Sequence, residues 1–286
     1  MNNLSDINVI KSVLQRHGFT FSKALGQNFI INPGVCPRIA DEGGAEKGVG
    51  VLEVGAGIGV LTAELAKRAD KVVCVELDTR LLPVLDETLG EFDNVKIING
   101  DILKVDLHKI LEEEFGNMPV VVCANLPYYI TSPVIMRLLE SRLNIESVTV
   151  MVQKEAAARL CAEVGSRNSG AVTVAVNYYA KAQKLFDVSR GSFMPSPNVD
   201  SAVIRLDILP EPPIHVSDEK FFFSMVRSAF SQRRKTASNG ISAGTGIPKA
   251  TVTEAIEAAG LPPAVRAEAL TMEQLGTLCE ELKKRA

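Results

Sequence analysis

The sequence has no tryptophan and only three histidines, and its five cysteines are widely spaced without a Cys-x-x-Cys pair. A structural zinc site or a disulfide framework requires closely paired cysteines, so we expect neither and predict reduced thiols. The histidines have no carboxylate or cysteine partner in the sequence. None of them is assigned to catalysis, and no metal site is predicted.

Long apolar runs and a strong excess of one charge are also missing. No stretch reaches the roughly 18–20 apolar residues that span a bilayer, and residues 1–10 lack the basic and apolar regions of a secretory signal. We therefore expect a cytoplasmic protein that does not bind membranes. The net charge of −3 does not favour nucleic-acid binding, but five basic residues and no acidic one lie between Lys220 and Asn239.

Apolar runs of strand length alternate with helical patterns from residue 50 onward. The runs predicted as strands are Val51–Val54, Val72–Val75, Val95–Ile98, Val120–Cys123 and Val148–Val152. The segments predicted as helices between them are Val60–Ala69, Thr79–Leu89, Leu107–Glu114 and Pro133–Leu143. Apolar strands without alternation are covered on both faces. The pattern therefore predicts an α/β fold with a doubly wound, mostly parallel sheet.

The segments before this alternation predict a helical lead-in. Residues 6–15 have the apolar spacing of an amphipathic helix, and residues 18–29 lack any period and are expected to form a loop. Asn32-Pro33 suits an N-cap followed by proline at the first helical position. It predicts a helix that runs towards Asp41.

The segments after the alternation predict a sheet edge and a second domain. Residues 184–188 and 202–208 are expected to form an antiparallel pair at the edge of the sheet. A proline-rich linker follows, and then three helical patterns, at residues 218–231, 249–259 and 272–284. We predict a ligand-binding α/β domain at residues 1–209 and a small all-helical domain at residues 210–286.

A glycine-rich segment, Glu53–Gly59, follows the first strand of the predicted sheet. Its Gly-x-Gly-x-Gly spacing differs from the Gly-x-Gly-x-x-Gly of dinucleotide-binding folds. Glu76 ends the second strand and Asp101 follows the third, and such strand ends converge on one crevice. Each feature alone also fits a tight turn, a solvated strand end or a turn aspartate. Together they favour a nucleoside ligand, with S-adenosylmethionine more plausible than NAD.

The segment Asn125-Leu126-Pro127-Tyr128 follows the fourth strand and has the most specific chemistry. An adenine amino group is a poor nucleophile because its lone pair is delocalised into the ring. The Asn125 side-chain oxygen and the Leu126 carbonyl are placed to accept its two N–H groups, with Pro127 stiffening the loop. Tyr128 offers a face for base stacking. A plain turn after a strand is the alternative interpretation.

These residues resemble a known family, the bacterial small-subunit (16S) ribosomal RNA adenine N6,N6-dimethyltransferases. The similarity extends from about residue 18 to beyond residue 235. The matching motifs are Lys23–Phe29, Glu53–Thr62, Glu76–Asp78, Gly100-Asp101, Asn125–Tyr128, Phe193–Val203 and Gln232–Thr236. The resemblance implies a Rossmann-like class I methyltransferase fold and S-adenosylmethionine as cofactor. It also implies dimethylation of two adjacent adenines near the 3′ end of 16S ribosomal RNA, within the immature small subunit.

The resemblance also implies roles for individual residues. The predicted cofactor-binding residues are Gln27, Asn28, Ile30, Gly55, Gly57, Glu76, Leu77, Asp101, Ile102 and Asn125. The predicted catalytic residues are Asn125, Leu126, Pro127, Tyr128 and Phe193, with Phe193 stacking on the target base opposite Tyr128. The predicted RNA-binding residues are Arg233, Arg234 and Lys235, although on composition alone this cluster fits a solvated helix end equally well. Departures from the family pattern, which remove rigidity or positive charge from the expected RNA-facing surfaces, occur at Ser196, Asn198, Ala237 and Ser238.

Three alternative functions are compatible with parts of the pattern. The first is a resistance methylase of large-subunit RNA, although its branch more often has isoleucine at the position of Leu126. The second is a DNA adenine methyltransferase, although that class usually has aspartate at the position of Asn125. The third is a ribosome-assembly checkpoint that acts by docking, which is compatible with catalysis. We predict a monomer.

Overall fold

The computed structural model describes residues 4–20, 26–232 and 234–285. The chain forms two compact units, one from Met1–Ala157 and Gln183–Ile208 and the other from Ala158–Ala182 and Leu209–Ala286. It therefore enters the second unit twice. The boundary predicted at residue 209 lies at the second entry, whereas the sequence patterns did not indicate the first.

Nine strands occur in the described part of the chain, and seven of them form one sheet. In chain order they are β1 (Phe29–Ile30), β2 (Gly50–Val54), β3 (Lys71–Glu76), β4 (Val95–Asn99), β5 (Val120–Asn125), β6 (Ser147–Gln153), β7 (Ala180–Val188), β8 (Phe193–Met194) and β9 (Ser201–Ile208). The order of the large sheet is β4-β3-β2-β5-β6-β9-β7. Pairing is parallel from β4 to β6, and β9 is antiparallel to β6. The mostly parallel sheet is confirmed, as is the edge position of residues 184–188 beside 202–208.

Helices separate the strands and continue to the carboxyl end of the chain. They are α1 (Ile7–Arg16), α2 (Val35–Glu42), α3 (Val60–Ala66), α4 (Leu82–Leu89), α5 (Leu107–Phe115), α6 (Thr131–Glu140), α7 (Lys154–Leu160), α8 (Ala171–Tyr179), α9 (Glu219–Phe230), α10 (Ala237–Thr245), α11 (Lys249–Ala258) and α12 (Met272–Lys283). In the part of the chain that the structure describes, none of them is long and apolar enough to cross a membrane.

The predicted start of α2 is wrong by about two residues. The helix begins at Val35, and the Asn32 side-chain oxygen accepts a hydrogen bond from the Gly34 N–H at 3.0 Å. The Asn32 carbonyl accepts the Val35 N–H at 3.2 Å. Asn32 and Pro33 therefore close a turn ahead of the helix, because the Asn32 side chain bonds within that turn instead of capping the first helical residues.

The register of the central strands aligns their carboxyl ends. Val54 of β2 lies opposite Val75 of β3 on one side and opposite Ala124 of β5 on the other. Every residue of β2 is buried, as expected for a strand covered on both faces. Because the three strands end at the same level, the residues that follow them are brought to one edge of the sheet.

A short second sheet was not predicted. Phe29 pairs with Met194 and Ile30 with Phe193 in the antiparallel pair β1–β8, and the Ile31 N–H donates to the Ser192 carbonyl at 2.8 Å. The periodicity of two-residue strands is too short to detect in a sequence. This pairing fixes the end of the segment predicted as a loop at residues 18–29.

The second unit is built around an aromatic cluster. Tyr178 and Tyr179 of α8 pack against Phe222 and Phe223 of α9 with ring centroids 5.1–5.7 Å apart. These contacts explain why residues 158–182 belong with the carboxyl-terminal helices. The sequence pattern also missed α10, because its glycine, serine, asparagine and threonine residues are weak helix formers.

Close backbone approach holds α10 against α9, and it yields a first prediction. A Cβ built on Gly240 would lie 2.7 Å from the Ser228 carbonyl oxygen and 2.9 Å from that of Ala229. Backbone atoms cannot rotate away, so we expect Gly240→Ala to lower the free energy of unfolding by about 1–3 kcal/mol, despite alanine's higher helix propensity. Gly34→Ala is the control, because its Cβ would meet its nearest atom at 3.6 Å. Denaturant titration would contradict the prediction if Gly240→Ala were as stable as this control.

Candidate active site

One pocket in the first unit contains every residue predicted for the cofactor and for the target base. It opens where β2, β3 and β5 end, and its lining includes residues of β1, β8 and the turn after β4. The predicted residues that line it are Gln27, Asn28, Ile30, Gly55, Gly57, Glu76, Leu77, Asp101, Ile102, Asn125, Leu126, Pro127, Tyr128 and Phe193. Arg234 and Lys235 are exposed residues between α9 and α10, and Arg233 lies outside the described residues.

The turn after β2 leaves space where side chains would otherwise stand. Gly55 has a φ of +77°, a left-handed conformation that favours glycine, and a Cβ built on it would meet no atom within 4 Å. Gly57 has a φ of +57°, and its N–H donates to the Glu76 Oε2 atom at 3.1 Å. The turn therefore allows a ligand to approach its backbone and is hydrogen-bonded to the acidic end of the next strand.

Glu76 is a buried carboxylate held by backbone donors. Its Oε1 atom accepts the Asp78 N–H at 2.8 Å, while Oε2 accepts the Gly57 N–H. Burial raises the pKa of Glu76, and these two N–H groups partly offset that effect. Asp78 also accepts a hydrogen bond from Gln27 Nε2 at 2.8 Å. Gln27 thus ties the segment before β1 to the end of β3.

Asp101 lies in the turn that follows β4. Its Oδ1 atom accepts the Leu103 N–H at 3.0 Å, and its Oδ2 atom lies 3.5 Å from the Lys104 ammonium group. The Asn99 side-chain amide donates to the Glu76 carbonyl at 2.9 Å, which connects this turn to the preceding strand. Asp101 therefore closes a turn and lines the pocket at the same time. The interpretation as a turn aspartate and the interpretation as a ligand-binding residue do not exclude each other.

The loop after β5 is fixed at several points. The Asn125 amide nitrogen donates to the Asn28 carbonyl at 3.4 Å, so the Asn125 Oδ1 atom is the acceptor end of the side chain. The Pro127 carbonyl accepts the Ile130 N–H at 3.1 Å. The Tyr128 hydroxyl lies 2.7 Å from the Ser201 hydroxyl, which anchors the tyrosine ring. Asn125 and Tyr128 thus have defined orientations at the pocket.

Phe193 lines the same pocket from β8, opposite Ile30 of β1. Its side chain is buried, with only 4% of the residue exposed. Little of the residue is therefore accessible in this structure. The pairing of β1 with β8 therefore places Phe193 beside the cofactor segment, while its role in stacking on the target base stays a prediction.

Comparisons with known proteins identify the family of the chain. The family model described as "Ribosomal RNA adenine dimethylase" matches residues 18–284. The chain belongs to this family. It is 47% identical to "Ribosomal RNA small subunit methyltransferase A" of Geobacillus thermodenitrificans, over 95% of this chain and 94% of that protein. It is 44% identical to the protein of the same name from Alkaliphilus oremlandii, over the full length of both.

Solved structures of the same type are similar to the chain along most of its length. A dimethyladenosine transferase from Plasmodium falciparum has a TM-score of 0.72 at 26% identity, and covers 90% of this chain and 98% of its own. The 23S rRNA methyltransferase ErmE has a TM-score of 0.66 at 29% identity, and covers 89% of this chain and 99% of its own. The predicted class I methyltransferase fold is therefore confirmed.

Enzymes of this family use S-adenosylmethionine to dimethylate adenine in ribosomal RNA, and this is the reaction class and the methyl donor of the chain. The pocket fits that cofactor. Gly55 leaves a cradle that a Cβ would fill, and Glu76 provides a buried carboxylate. The described residues that line the pocket include four acidic side chains and no basic one, which suits a ligand with a positive charge.

Glu53 is a buried acid that was not predicted as a site residue. It is 0% exposed, and neither carboxylate oxygen has a hydrogen-bond partner in the described part of the protein. Burial raises the pKa of Glu53 to about 8, and the charge of Glu76 adds to this effect. The nearby Thr62 hydroxyl and Cys74 thiol act in the opposite direction. Glu53 is therefore protonated at neutral pH.

Three further lining residues were missed as site residues. A Cβ on Gly57 would approach the Phe29 Cε1 atom to 3.3 Å, so Phe29 packs under the glycine turn. Asp78 connects Gln27 to Glu76. Tyr129 is exposed and lies against Gly26. Phe29, Asp78 and Glu53 lie inside motifs that were recognised, but burial and side-chain direction were needed to single them out.

The glycine turn gives a prediction about cofactor binding. Gly55→Ala adds a methyl group in the open cradle, so we expect the Kd for S-adenosylmethionine to rise at least about tenfold, which corresponds to about 1.4 kcal/mol. Gly48→Ala is the matched control: Gly48 also has a positive φ, of +87°, and no atom within 4 Å of its Cβ position, but it does not line the pocket. Calorimetric titration of both variants separates ligand exclusion from backbone strain. Equal Kd values for the two would contradict the prediction.

The buried acid gives a prediction about pH and stability. The pKa of Glu53 is raised in the folded protein, so its contribution to stability is fully present below the unfolded pKa of about 4.5 and is lost as pH rises to about 8. Glu53→Gln removes this titration. We expect the free energy of unfolding of the wild type to fall relative to that of Glu53→Gln by roughly 1.4 kcal/mol per pH unit in this window. Denaturant titrations at pH 5.5 and 7.5 test this, and parallel pH profiles would refute it.

Proposed function

We propose that the chain transfers methyl groups from S-adenosylmethionine to the N6 amino group of adenines in small-subunit (16S) ribosomal RNA. The product is N6,N6-dimethyladenosine, and the substrate is the RNA of the immature small subunit, with two adjacent adenines near its 3′ end as targets. The observation that carries this proposal is the position of Asn125–Tyr128 on the same pocket as the glycine turn and Glu76. Names of the relatives at 44–47% identity support the small subunit.

The target loop has the hydrogen-bonding groups that activation of an adenine amine requires. Because the Asn125 amide nitrogen is engaged by Asn28, its Oδ1 atom is directed to accept one N–H of the amine. The Leu126 carbonyl accepts the other, and Pro127 fixes its direction. Two acceptors turn the nitrogen lone pair out of the ring plane. S-adenosylmethionine, when bound, supplies the methyl group on a positively charged sulfur.

Positioning is the main contribution of the protein to this reaction. The Tyr128 ring, anchored through Ser201, provides a stacking face worth about 1–3 kcal/mol for the base. A target adenine must leave its RNA stack to reach the pocket. The methylated nitrogen is cationic and acidic, so its proton passes to water without a dedicated base. Among the residues that line the pocket, none is required as a strong base.

The cofactor residues have separate parts in this proposal. Gly55 faces the methionine moiety, the Glu76 carboxylate accepts hydrogen bonds from the ribose hydroxyls, and Asp101 accepts the adenine amino group. Gln27, Asn28 and Ile30 close over the cofactor. Leu77 and Ile102 complete the adenosine side of the pocket.

The second unit supplies contacts to RNA in this proposal. Arg234 and Lys235, together with Arg233 outside the described residues, contact phosphates of the RNA backbone. Such contacts position the substrate without selecting the base. We further propose that the protein acts as a monomer in the cytoplasm, where the small subunit matures.

Methyl transfer from labelled S-adenosylmethionine tests the proposed substrate. Unmethylated small subunits, large subunits and naked DNA are compared, followed by nucleoside analysis. We expect label as N6,N6-dimethyladenosine in small-subunit RNA alone. Label in large-subunit RNA would move the assignment towards the 23S methyltransferases, and label in DNA would overturn the RNA assignment.

The acceptor pair gives a prediction about catalysis. Asn125→Ala removes one of the two acceptors, so we expect the rate of methyl transfer to fall on the order of 10²-fold, as when one preorganised hydrogen bond is lost from an active site. Docking on small subunits should persist, because Asn125 is not among the residues proposed to bind the RNA backbone. Subunit co-sedimentation and single-turnover kinetics measure the two effects. A variant that docks normally and retains wild-type transfer would show that Asn125 is not an acceptor for the amine.

A further inference from the structure

Glu53 is a buried carboxyl group at the base of the cofactor site, and its nearby side-chain donors are the Thr62 hydroxyl and the Cys74 thiol. It lies on β2 two residues before Gly55, and the pocket lining includes it. Both oxygens are buried, and among the described residues no hydrogen bond of normal length and angle reaches either of them. A charged carboxylate in such surroundings is strongly unfavourable, so the group holds a proton unless a positive charge comes near.

The groups that face Glu53 do not supply that positive charge. From the adjacent strands, Cys74 and Cys123 lie directly opposite it in register, and α2 contributes Cys36. Burial raises the pKa of all three thiols, so they are neutral at physiological pH. From α3 the Thr62 hydroxyl faces it, and from the end of β3 the Glu76 carboxyl adds negative charge.

The methyl donor and the demethylated product differ by one positive charge, which is the kind of charge missing from the surroundings of Glu53. S-adenosylmethionine has a positively charged sulfonium, whereas the product S-adenosylhomocysteine has a neutral thioether in its place. The amino and carboxylate groups are the same in both. Glu53 is fully buried, and a single added cation strongly changes the ionisation of a nearby acid that is shielded from solvent.

We propose that Glu53 senses the charge of the bound cofactor: it is protonated in the empty site, releases its proton to solvent when S-adenosylmethionine binds, and takes a proton up again when the sulfur becomes neutral. Only the O–H bond of the carboxyl breaks and forms, and buffer or water takes and returns the proton. The residue thereby favours the methyl donor over the demethylated product. This inference depends on the cofactor of the family and not on which RNA is the substrate.

The ionisation of Glu53 in the empty site determines how proton release on S-adenosylmethionine binding depends on pH. Burial, with the charge of Glu76, raises the pKa of Glu53 to about 8, so the proton is present at pH 7. A nearby sulfonium lowers that pKa, and up to one proton is released on binding at pH 7. Above about pH 9 the residue is ionised before binding, and the release disappears.

Calorimetry without RNA tests this inference on the full-length protein. S-adenosylmethionine and S-adenosylhomocysteine are each titrated at pH 7 in two buffers of different ionisation enthalpy, which yields the number of protons released. We expect the wild type to release more protons with S-adenosylmethionine than with S-adenosylhomocysteine, by a large fraction of one proton. The difference should vanish in Glu53→Gln. Equal release for both ligands in the wild type, or an unchanged difference in Glu53→Gln, would overturn the proposal.

A matched variant and a second measurement keep the test independent of folding. Glu64→Gln changes a partly buried acid on α3 that pairs with Lys67 and Arg68 and does not line the pocket, so its proton release should equal that of the wild type. In the wild type alone, the infrared difference spectrum on adding S-adenosylmethionine should lose a protonated-carboxyl band. Absence of that loss contradicts the proposal even if Glu53→Gln fails to fold. If the expected proton release is observed but no methyl group is transferred to small subunits, only the proposed RNA substrate is refuted.

Discussion

The parallel pairing of β2 with β3 and β5 is the constraint on which the site depends. Because the three strands run in one direction and end at the same level, three different turns leave the sheet at one edge. The glycine turn, the acidic strand end and the target loop are far apart in sequence and adjacent in space for this reason. No antiparallel arrangement of the same strands would bring all three carboxyl ends together.

A second constraint comes from the small pair β1–β8, which attaches residues distant in sequence to that edge. It places Ile30 opposite Phe193, and the same segment contacts both sides of the pocket. Gln27 bonds to Asp78 beside the acidic strand end, and the Asn28 carbonyl accepts the amide of Asn125 in the target loop. The segment before β1 thus physically links the cofactor side to the target side.

The sequence predicted the sheet and the lining of the pocket well because both depend on local signals. Uninterrupted apolar runs specify buried strands, and a short contiguous motif such as Asn125–Tyr128 can be recognised without knowledge of the tertiary structure. What it could not predict depends on tertiary contacts. The first entry into the second unit rests on aromatic contacts between α8 and α9, and α10 forms from weak helix formers because Gly240 permits close packing. The turn at Asn32 was misjudged because capping and turn formation use the same side chain.

Electrostatics explain why a protein would keep a group as unfavourable as Glu53 in its core. A neutral residue of the same shape would remove the cost of burying a carboxyl group, but it would also remove the part of the preference for a cationic over a neutral sulfur that Glu53 provides. An acid that ionises only when a cation arrives adds binding energy for the donor and withdraws it after transfer, since the attraction ends when the sulfur loses its charge. The preference for the cationic donor over the neutral product therefore depends on the burial of Glu53, although that burial is unfavourable in the empty protein. A solvated carboxylate would already be ionised and screened by water, and it would distinguish the two ligands far less.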